Sequence, residues 1–280
     1  MKDNLSQEFD ILFGPNLGRG QYWRDLWNYR GLLYFLAWRD ILVRYKQTVI
    51  GIAWSVVNPI FFMVVFSVIL GRLGQFASDG TTPYPLLVLC GLLPWQLFAA
   101  GLTQCGKSLV ENRHMVAKVY FPRLLVPVSS IMVSFIDFLV ALGLLAVVMG
   151  IFRHPPDWRV LFLPVFIAFA LLVTLSLGIW LAAINVRYRD FQYITPFLVQ
   201  IGLFVSPVGF SSGNIPEQWR FLYALNPMAG VIDGFRWCLL GGQAGLYLPG
   251  LVLSAILTLV LLGGAVGYFR RTERTFADVI

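Results

Sequence analysis

The chain has 280 residues, of which 58% are hydrophobic, 15% aromatic and only 12% charged. Soluble domains carry about 25% charged residues, so this composition excludes an ordinary soluble fold. A net charge of +7 would suit nucleic acid, but the basic residues are distributed as a membrane topology requires.

A bilayer core takes about 20 consecutive apolar residues per helix. Uncharged runs cover 47–71, 80–106, 124–152 (interrupted only by Asp137), 160–186, 191–216 and 237–269. They predict six spans at about 49–71, 84–106, 124–152, 160–186, 191–211 and 247–269, with 1–48 as a cytoplasmic N-terminal segment and 271–280 as a cytoplasmic tail. The period-two alternation of a membrane barrel is absent, so the expected class is an all-α integral membrane protein. With both termini inside, sixteen of the 21 Lys and Arg fall in cytoplasmic segments, and only Arg72, Arg153, Arg159, Arg220 and Arg236 fall outside. That asymmetry obeys the positive-inside rule. It predicts a multi-pass protein of the inner or plasma membrane with both termini cytoplasmic, whose basic residues meet anionic lipid and not nucleic acid. Cys90, Cys105 and Cys238 have no metal-type spacing and read as small apolar packers, with a pairing of Cys90 and Cys238 left open.

In chain order, residues 1–20 hold no apolar run long enough for a signal peptide. Over 21–30, Tyr22, Trp23, Leu26, Trp27 and Tyr29 mostly gather on one helical side, as in a helix lying in the interface. The apolar run after Gly31 is too short to span, and Arg39, Asp40, Arg44 and Lys46 spread around the helical wheel, so a second helix touching both lipid and protein is predicted. The stretch 38–54, WRDILVRYKQTVIGIAW, is the point of membrane entry. Span one contains Asn58-Pro59, where a kink is expected, and Trp54, Asn58, Phe61, Phe62, Val65 and Phe66 recur at helical spacing on one face.

Span two ends in GLTQCGKS, residues 101–108, which fits the P-loop pattern GxxxxGK[ST]. A P-loop requires a strand before it and a helix after it, so that backbone N–H groups at the turn reach phosphate. Here the glycines lie in a hydrophobic helix that has just crossed the bilayer, and no Walker B strand follows, so nucleotide binding is rejected. LLGGQ, residues 239–243, faintly resembles an ABC ATPase signature but falls on the outer side. The inner loop 107–123 mixes Glu111, Arg113, His114 and Lys118 with Leu109, Val110, Met115 and Val116, consistent either with a docking element for a soluble partner or with a solvated loop.

Span three carries a small, polar stripe of Ser130, Ser134, Asp137 and Ala141, of the kind that lets helices approach closely. An ionised Asp near mid-depth costs roughly 2.5–3.5 kcal/mol on insertion scales. No Lys or Arg within the spans offers itself as a partner, so functional and structural roles both stay open. Span five contains Phe197, Phe204 and Phe210, of which Phe197 and Phe204 share a face. The segment 211–245 is too apolar for a simple loop. Pro216 and Pro227 each suit the first turn of a helix, predicting short re-entrant or interfacial helices at about 217–225 and 228–240.

Four segments, 38–59 (WRDILVRYKQTVIGIAWSVVNP), 112–123 (NRHMVAKVYFPR), 185–191 (NVRYRDF) and 215–241 (IPEQWRFLYALNPMAGVIDGFRWCLLG), together resemble the permease subunits of type 2 ABC exporters of polysaccharide, the O-antigen, capsule and teichoic acid group. The resemblance covers nearly the whole chain. It implies a homodimer with two copies of a separate ATPase subunit, which binds ATP and Mg, so that this chain needs no cofactor and is not itself an enzyme. The implied cargo is an undecaprenyl-type lipid-linked glycan. By position, Trp38, Arg39, Asp40, Arg44 and Lys46 of the segment 38–48, with Glu111, Asn112, Arg113 and His114 of the inner loop, would couple to the ATPase. Trp54, Phe61, Phe62, Phe197 and Phe204 would line the conduit as ring-stacking surfaces, and Trp219, Asn226, Pro227 and Arg236 would belong to the outer re-entrant helices. No catalytic or metal residues are implied. The competing readings are a type 2 exporter of lipids or drugs and a membrane-bound sugar- or acyl-transferase; the latter lacks convergent catalytic residues, since His114 and His154 lie on opposite sides.

Overall fold

The computed structural model describes residues 19–46, 51–73, 82–241, 245–273 and 276. The expectations for residues 1–18, the junction 47–50, most of the loop 72–85, Gln243 of LLGGQ, and tail residues 274–275 and 277–280 lie outside the described residues.

Among the described residues every regular element is a helix. They are α1 (Arg19–Asn28), α2 (Arg30–Lys46), α3 (Gly51–Phe66, continuing as a π-helical stretch Ser67–Leu73), α4 (Tyr84–Glu111), α5 (Arg113–Lys118), α6 (Leu125–Ile151), α7 (Leu163–Arg187, entered through a 3-10 turn at Trp158–Phe162), α8 (Phe191–Val205), α9 (Glu217–Tyr223), α10 (Pro227–Leu239) and α11 (Leu248–Thr272). Five helical stretches are long and apolar enough to cross a membrane: Ala53–Gly71, Tyr84–Glu111, Leu125–Ile151, Trp158–Arg187 and Leu248–Thr272. The remaining expected span is the shorter helix α8. Its 15 residues rise only about 22 Å at 1.5 Å per residue. It stops six residues before the expected limit of 211 because Ser206 is extended, with φ −86° and ψ 153°, as the residue before a proline prefers.

The bundle is assembled around α4, which packs against α3, α6, α7, α8 and α10. Its sequence is apolar on every side, the pattern of an enclosed helix, and Leu86, Val88, Leu89, Cys90, Leu92, Leu93, Leu97 and Cys105 are all buried. The P-loop-like residues acquire a packing role here. A Cβ on Gly101 would stand 2.7 Å from Thr174 Cγ2, and one on Gly178 of α7 would stand 2.6 Å from Cys105 Sγ. Gly106 lies under Asn185, whose Nδ2 donates to the Gly106 carbonyl at 2.7 Å. The glycines and the cysteine therefore form a small-residue seam with α7, inside one continuous helix whose backbone N–H groups are not gathered at a turn.

At the end of the bundle that carries α5, a second apolar cluster joins α1 and α2 to the ends of the spans through Tyr22, Leu36, Leu109, Val116, Phe121 and Phe269. A polar clasp closes it. Glu273, just past α11, accepts from Tyr22 Oη at 3.3 Å and from the backbone N–H of Arg123 at 2.9 Å, and Arg123 Nη1 donates to the Glu273 carbonyl. The Arg270 guanidinium sits 4.6 Å over the Tyr22 ring. Burial pushes the Glu273 carboxyl above its ordinary 4.5, against the lowering effects of Arg123, Tyr22 and Arg270. The first helix is thus tied to the last, and the aromatic stripe read from residues 21–30 divides: Tyr22 turns inward, while Trp23 and Trp27 stay exposed.

All three cysteines are free and buried.

Two outcomes follow from this packing. Gly178→Ala overfills the α4–α7 seam and lowers stability by about 1–3 kcal/mol, read as a depressed Tm in detergent, whereas Gly143→Ala, with nothing within 4 Å of its new Cβ, does not depress it. A carboxyl whose folded-state pKa is raised contributes stability that is fully present below its ordinary value and is lost as pH rises through the folded-state value. The Glu273 contribution is therefore fully present below about pH 4.5 and is lost as pH rises from there through the raised folded-state value, so the wild-type chain loses Tm relative to Glu273→Gln over that interval.

Candidate functional site

Three groups of residues carry the functional reading, and each lies against α4 or its ends. The first lies on α2, α5 and α6. On α2 the four charged residues read as pointing several ways have distinct assignments. Arg39 Nη2 bridges the Asp40 carboxylate at 2.7 Å and Asn112 Oδ1 at 2.7 Å, fastening α2 to the α4–α5 junction. Arg44 Nη2 lies 2.6 Å from Asp137 Oδ2 in the middle of α6. Lys46 and Trp38 are exposed, with the Trp38 ring stacked on Tyr34 at 6.4 Å.

Arg44 supplies Asp137 with a cationic partner that the spans themselves do not hold. That partner comes from outside the spans, because α2 packs along α6 and brings its last turns level with Asp137. The carboxylate also accepts from Tyr45 Oη at 2.5 Å and from Ser55 Oγ of α3 at 2.7 Å. One carboxylate thus joins three helices, and its charge in an apolar setting is matched by a guanidinium and two hydroxyl donors. The neighbouring stripe residues Ser130, Ser134 and Ala141 are buried, with Ser134 facing Gly101 of α4.

Of the inner loop, 107–111 continue α4 and Arg113–Lys118 form α5, with Val116 turned into the apolar cluster and Glu111, Arg113, His114 and Lys118 exposed. Val119 and Tyr120 continue the exposed surface. Of the nine residues assigned to coupling, Trp38, Lys46, Glu111, Arg113 and His114 face outward, whereas Arg39, Asp40, Arg44 and Asn112 are engaged in internal pairs.

The second group is the aromatic face. Trp54 and Phe61 of α3 and Phe197 and Phe204 of α8 are 60–68% exposed. Phe62 differs: it is half-buried against the core, in edge contact with Phe61 at 6.1 Å and tilted against Phe66 at 6.4 Å. Both α3 and α8 lie against α4, so the exposed rings flank one buried helix.

The third group is at the opposite end, where α9 and α10 take nearly the bounds that the prolines indicate. Asn226 caps α10, its Oδ1 accepting from the Met228 N–H at 3.1 Å, and Pro227 occupies the first turn. Asn226 Nδ2 also donates to Ser206 Oγ at 2.9 Å, tying α10 back to the end of α8. Trp219 is exposed on α9. Arg236, expected on the second outer re-entrant helix, lies on α10 and is 1% exposed. Its guanidinium donates to the carbonyls of Leu87 (3.3 Å), Phe210 (2.7 Å) and Val208 (2.8 Å). Gly91 makes room for it, since a Cβ there would stand 2.9 Å from Nη2. Tyr84 Oη adds a bond to the Gly209 carbonyl at 2.6 Å. These contacts bind the non-helical turn after α8 to the first turns of α4.

The ion pair yields a direct test. A double-mutant cycle of Arg44→Met and Asp137→Asn gives a coupling of about 0.5–3 kcal/mol in detergent unfolding, and exchange of the two charges recovers part of the loss in either single variant.

Comparison with known proteins bears on what these surfaces serve. The profile of the ABC-2 type transporter family matches residues 31–240. The O-antigen export system permease protein RfbA of Myxococcus xanthus is 29% identical over 259 residues, covering 92% of this chain and 98% of the relative. A Klebsiella pneumoniae protein of the same name is 24% identical over 256 residues, covering 89% and 95%. The capsule polysaccharide export inner-membrane protein CtrC of Neisseria meningitidis is 24% identical over 240 residues, covering 82% and 88%. The matched region spans the coupling surface, the aromatic face and the α9–α10 end, and the chain belongs to the ABC-2 type transporter family.

Proposed function

We propose that the chain is the membrane-spanning subunit of an ABC transporter that exports a lipid-linked polysaccharide of the O-antigen or capsule kind across the inner membrane. The observation that carries this reading is the end-to-end similarity to relatives named for that export, which covers 92% of this chain and 98% of the relative in one case. In this reading two copies of the chain pair with two copies of a separate ATPase subunit, which binds ATP and Mg. The glycan rides on an undecaprenyl-type carrier, and both termini are cytoplasmic. Charge supports that orientation, because the α5 end gathers Arg113, Lys118, Arg123, Arg187, Arg189, Arg270 and Arg271.

Each group of residues has a part in this reading. The exposed strip of Glu111 at the end of α4 and Arg113 and His114 of α5, with Trp38 and Lys46 of α2, receives the ATPase. The Arg39–Asn112 and Arg44–Asp137 contacts pass its motion from α5 and α2 to α4 and α6. The exposed rings of Trp54, Phe61, Phe197 and Phe204 are large apolar surfaces that a second copy would enclose, and a pyranose can lie its C–H face on them. Such contacts are weak and tolerant of sequence, as a sliding polymer requires.

The test is restoration of surface polysaccharide in a strain lacking the gene. The wild-type chain restores the polymer and co-purifies with an ATPase subunit whose turnover in membranes depends on it. Phe197→Ala combined with Phe204→Ala reduces surface polymer several-fold at unchanged complex yield, whereas Arg113→Glu combined with His114→Glu reduces co-purification of the ATPase. A wild-type chain that recruits no ATPase and restores no polymer overturns the reading.

A further inference from the structure

A cavity of about 520 Å³ opens between α9, α10, the turn at 211–215 and the start of α11, within the range of about 300–1,000 Å³ usual for small-molecule sites. It is separate from the aromatic face of α3 and α8, none of whose exposed rings line it. Its wall is polar in a specific way. Asp233 of α10 is half-buried, with one carboxylate oxygen held by Ser212 Oγ at 2.5 Å. Arg220 of α9 lines the same space, its Nε steadied by the Ile215 carbonyl at 3.2 Å. The hydroxyl of Tyr223, whose ring also belongs to the wall, is buried without a hydrogen-bond partner among the described residues. The Tyr247 ring lies on Gly250, where an added Cβ would stand 2.4 Å from its Cδ1, so glycine at this position lets the ring settle as part of the wall.

These groups select a ligand chemistry. The Arg220 guanidinium also lies 3.8 Å from the exposed Glu217 carboxylate, so the wall holds no uncompensated positive charge and does not favour a phosphate. The second carboxylate oxygen of Asp233 and Ser212 Oγ, whose one proton is already given to Asp233, accept from hydroxyls, the Arg220 guanidinium donates, and the buried Tyr223 phenol has no partner among the described residues. An aromatic ring beside such groups provides an apolar surface for C–H bonds. A neutral ring bearing adjacent hydroxyl groups meets all of these together, and a ligand hydroxyl that draws Tyr223 forward supplies the partner its own hydroxyl lacks. We propose that this cavity is a saccharide subsite which holds a single neutral sugar ring by hydroxyl contacts to Asp233, Ser212 and Arg220 and by packing on Tyr247. Its place in transport, as a contact for the polymer at the α9–α10 end, rests on the export reading; the binding itself does not.

The experiment is saturation-transfer NMR on the purified full-length chain in lipid nanodiscs with glucose, galactose, mannose, rhamnose and N-acetylglucosamine as separate probes. At least one sugar receives transfer to its ring protons from the wild-type chain. The signal falls by at least about fivefold, or roughly 1 kcal/mol, in Asp233→Asn and in Gly250→Leu, which forces Tyr247 out of its seat, and it is unchanged in Gly143→Ala, whose new Cβ has nothing within 4 Å. Tyr247→Ala is the second reporter if either of the first two variants fails to fold. Absence of transfer from every sugar to the wild-type chain, an undiminished signal in the folded cavity variants, or displacement of the bound sugar by inorganic phosphate overturns the proposal. Complementation separates the two readings: a chain that restores surface polysaccharide but binds no sugar loses only the cavity proposal, and one that binds sugar but restores no polymer loses only the export reading.

Discussion

Backbone that leaves the helix in apolar surroundings must find partners for its carbonyls, and in this chain Arg236 meets that requirement. Where α8 stops at Val205, the turn that follows presents the carbonyls of Val208, Gly209 and Phe210, and Arg236 takes two of them while Tyr84 takes the third. A guanidinium suits the task because its donors are set in a rigid planar fork. The same side chain reaches Leu87, so one residue on α10 secures the break in α8 and the first turn of α4. The position of α10, and of the cavity that α10 walls, depends on that arrangement.

A similar economy of charge operates at the other end. Asp137 gathers Arg44 and Tyr45 from α2 and Ser55 from α3 onto α6. Apolar contacts between helices slide with little directional preference, whereas a paired carboxylate and guanidinium have a preferred geometry. A displacement of α2 therefore reaches α6 as a directed pull. The Arg39–Asn112 bond does the same toward the end of α4, and the two contacts sit within six residues of one another along α2.

Much of the fold was legible in the sequence, because bilayer thickness turns composition into helix positions. The prolines at 216 and 227 announced α9 and α10 to within two residues of their observed ends. The functional surfaces were readable where they depend on local spacing, as in the shared face of Phe197 and Phe204 and the mixed character of α5. What could not be read were pairings across the fold. Arg44 and Asp137 are 93 positions apart, Tyr22 and Glu273 are 251 apart, and neither pair lies within one periodic segment. Arg236 was legible as a residue of the second outer helix, but its carbonyl acceptors, 26 to 149 positions away, were not. The GLTQCGKS pattern shows the reverse failure: its glycines were conspicuous, but the motif whose spacing they match serves phosphate, and here they serve helix approach.

The enclosure of α4 has a mechanical consequence. A helix hemmed in by five others, with glycine against cysteine and threonine along the α7 seam, has no slack in which to rotate or translate alone, since a close-packed interior transmits strain instead of absorbing it. Together α4 and α7 act as a stator. Relative motion is left to elements outside that pair, α2 carried on α6 and α3 and α8 laid against α4, which are also the elements that carry the exposed rings and the charged tethers.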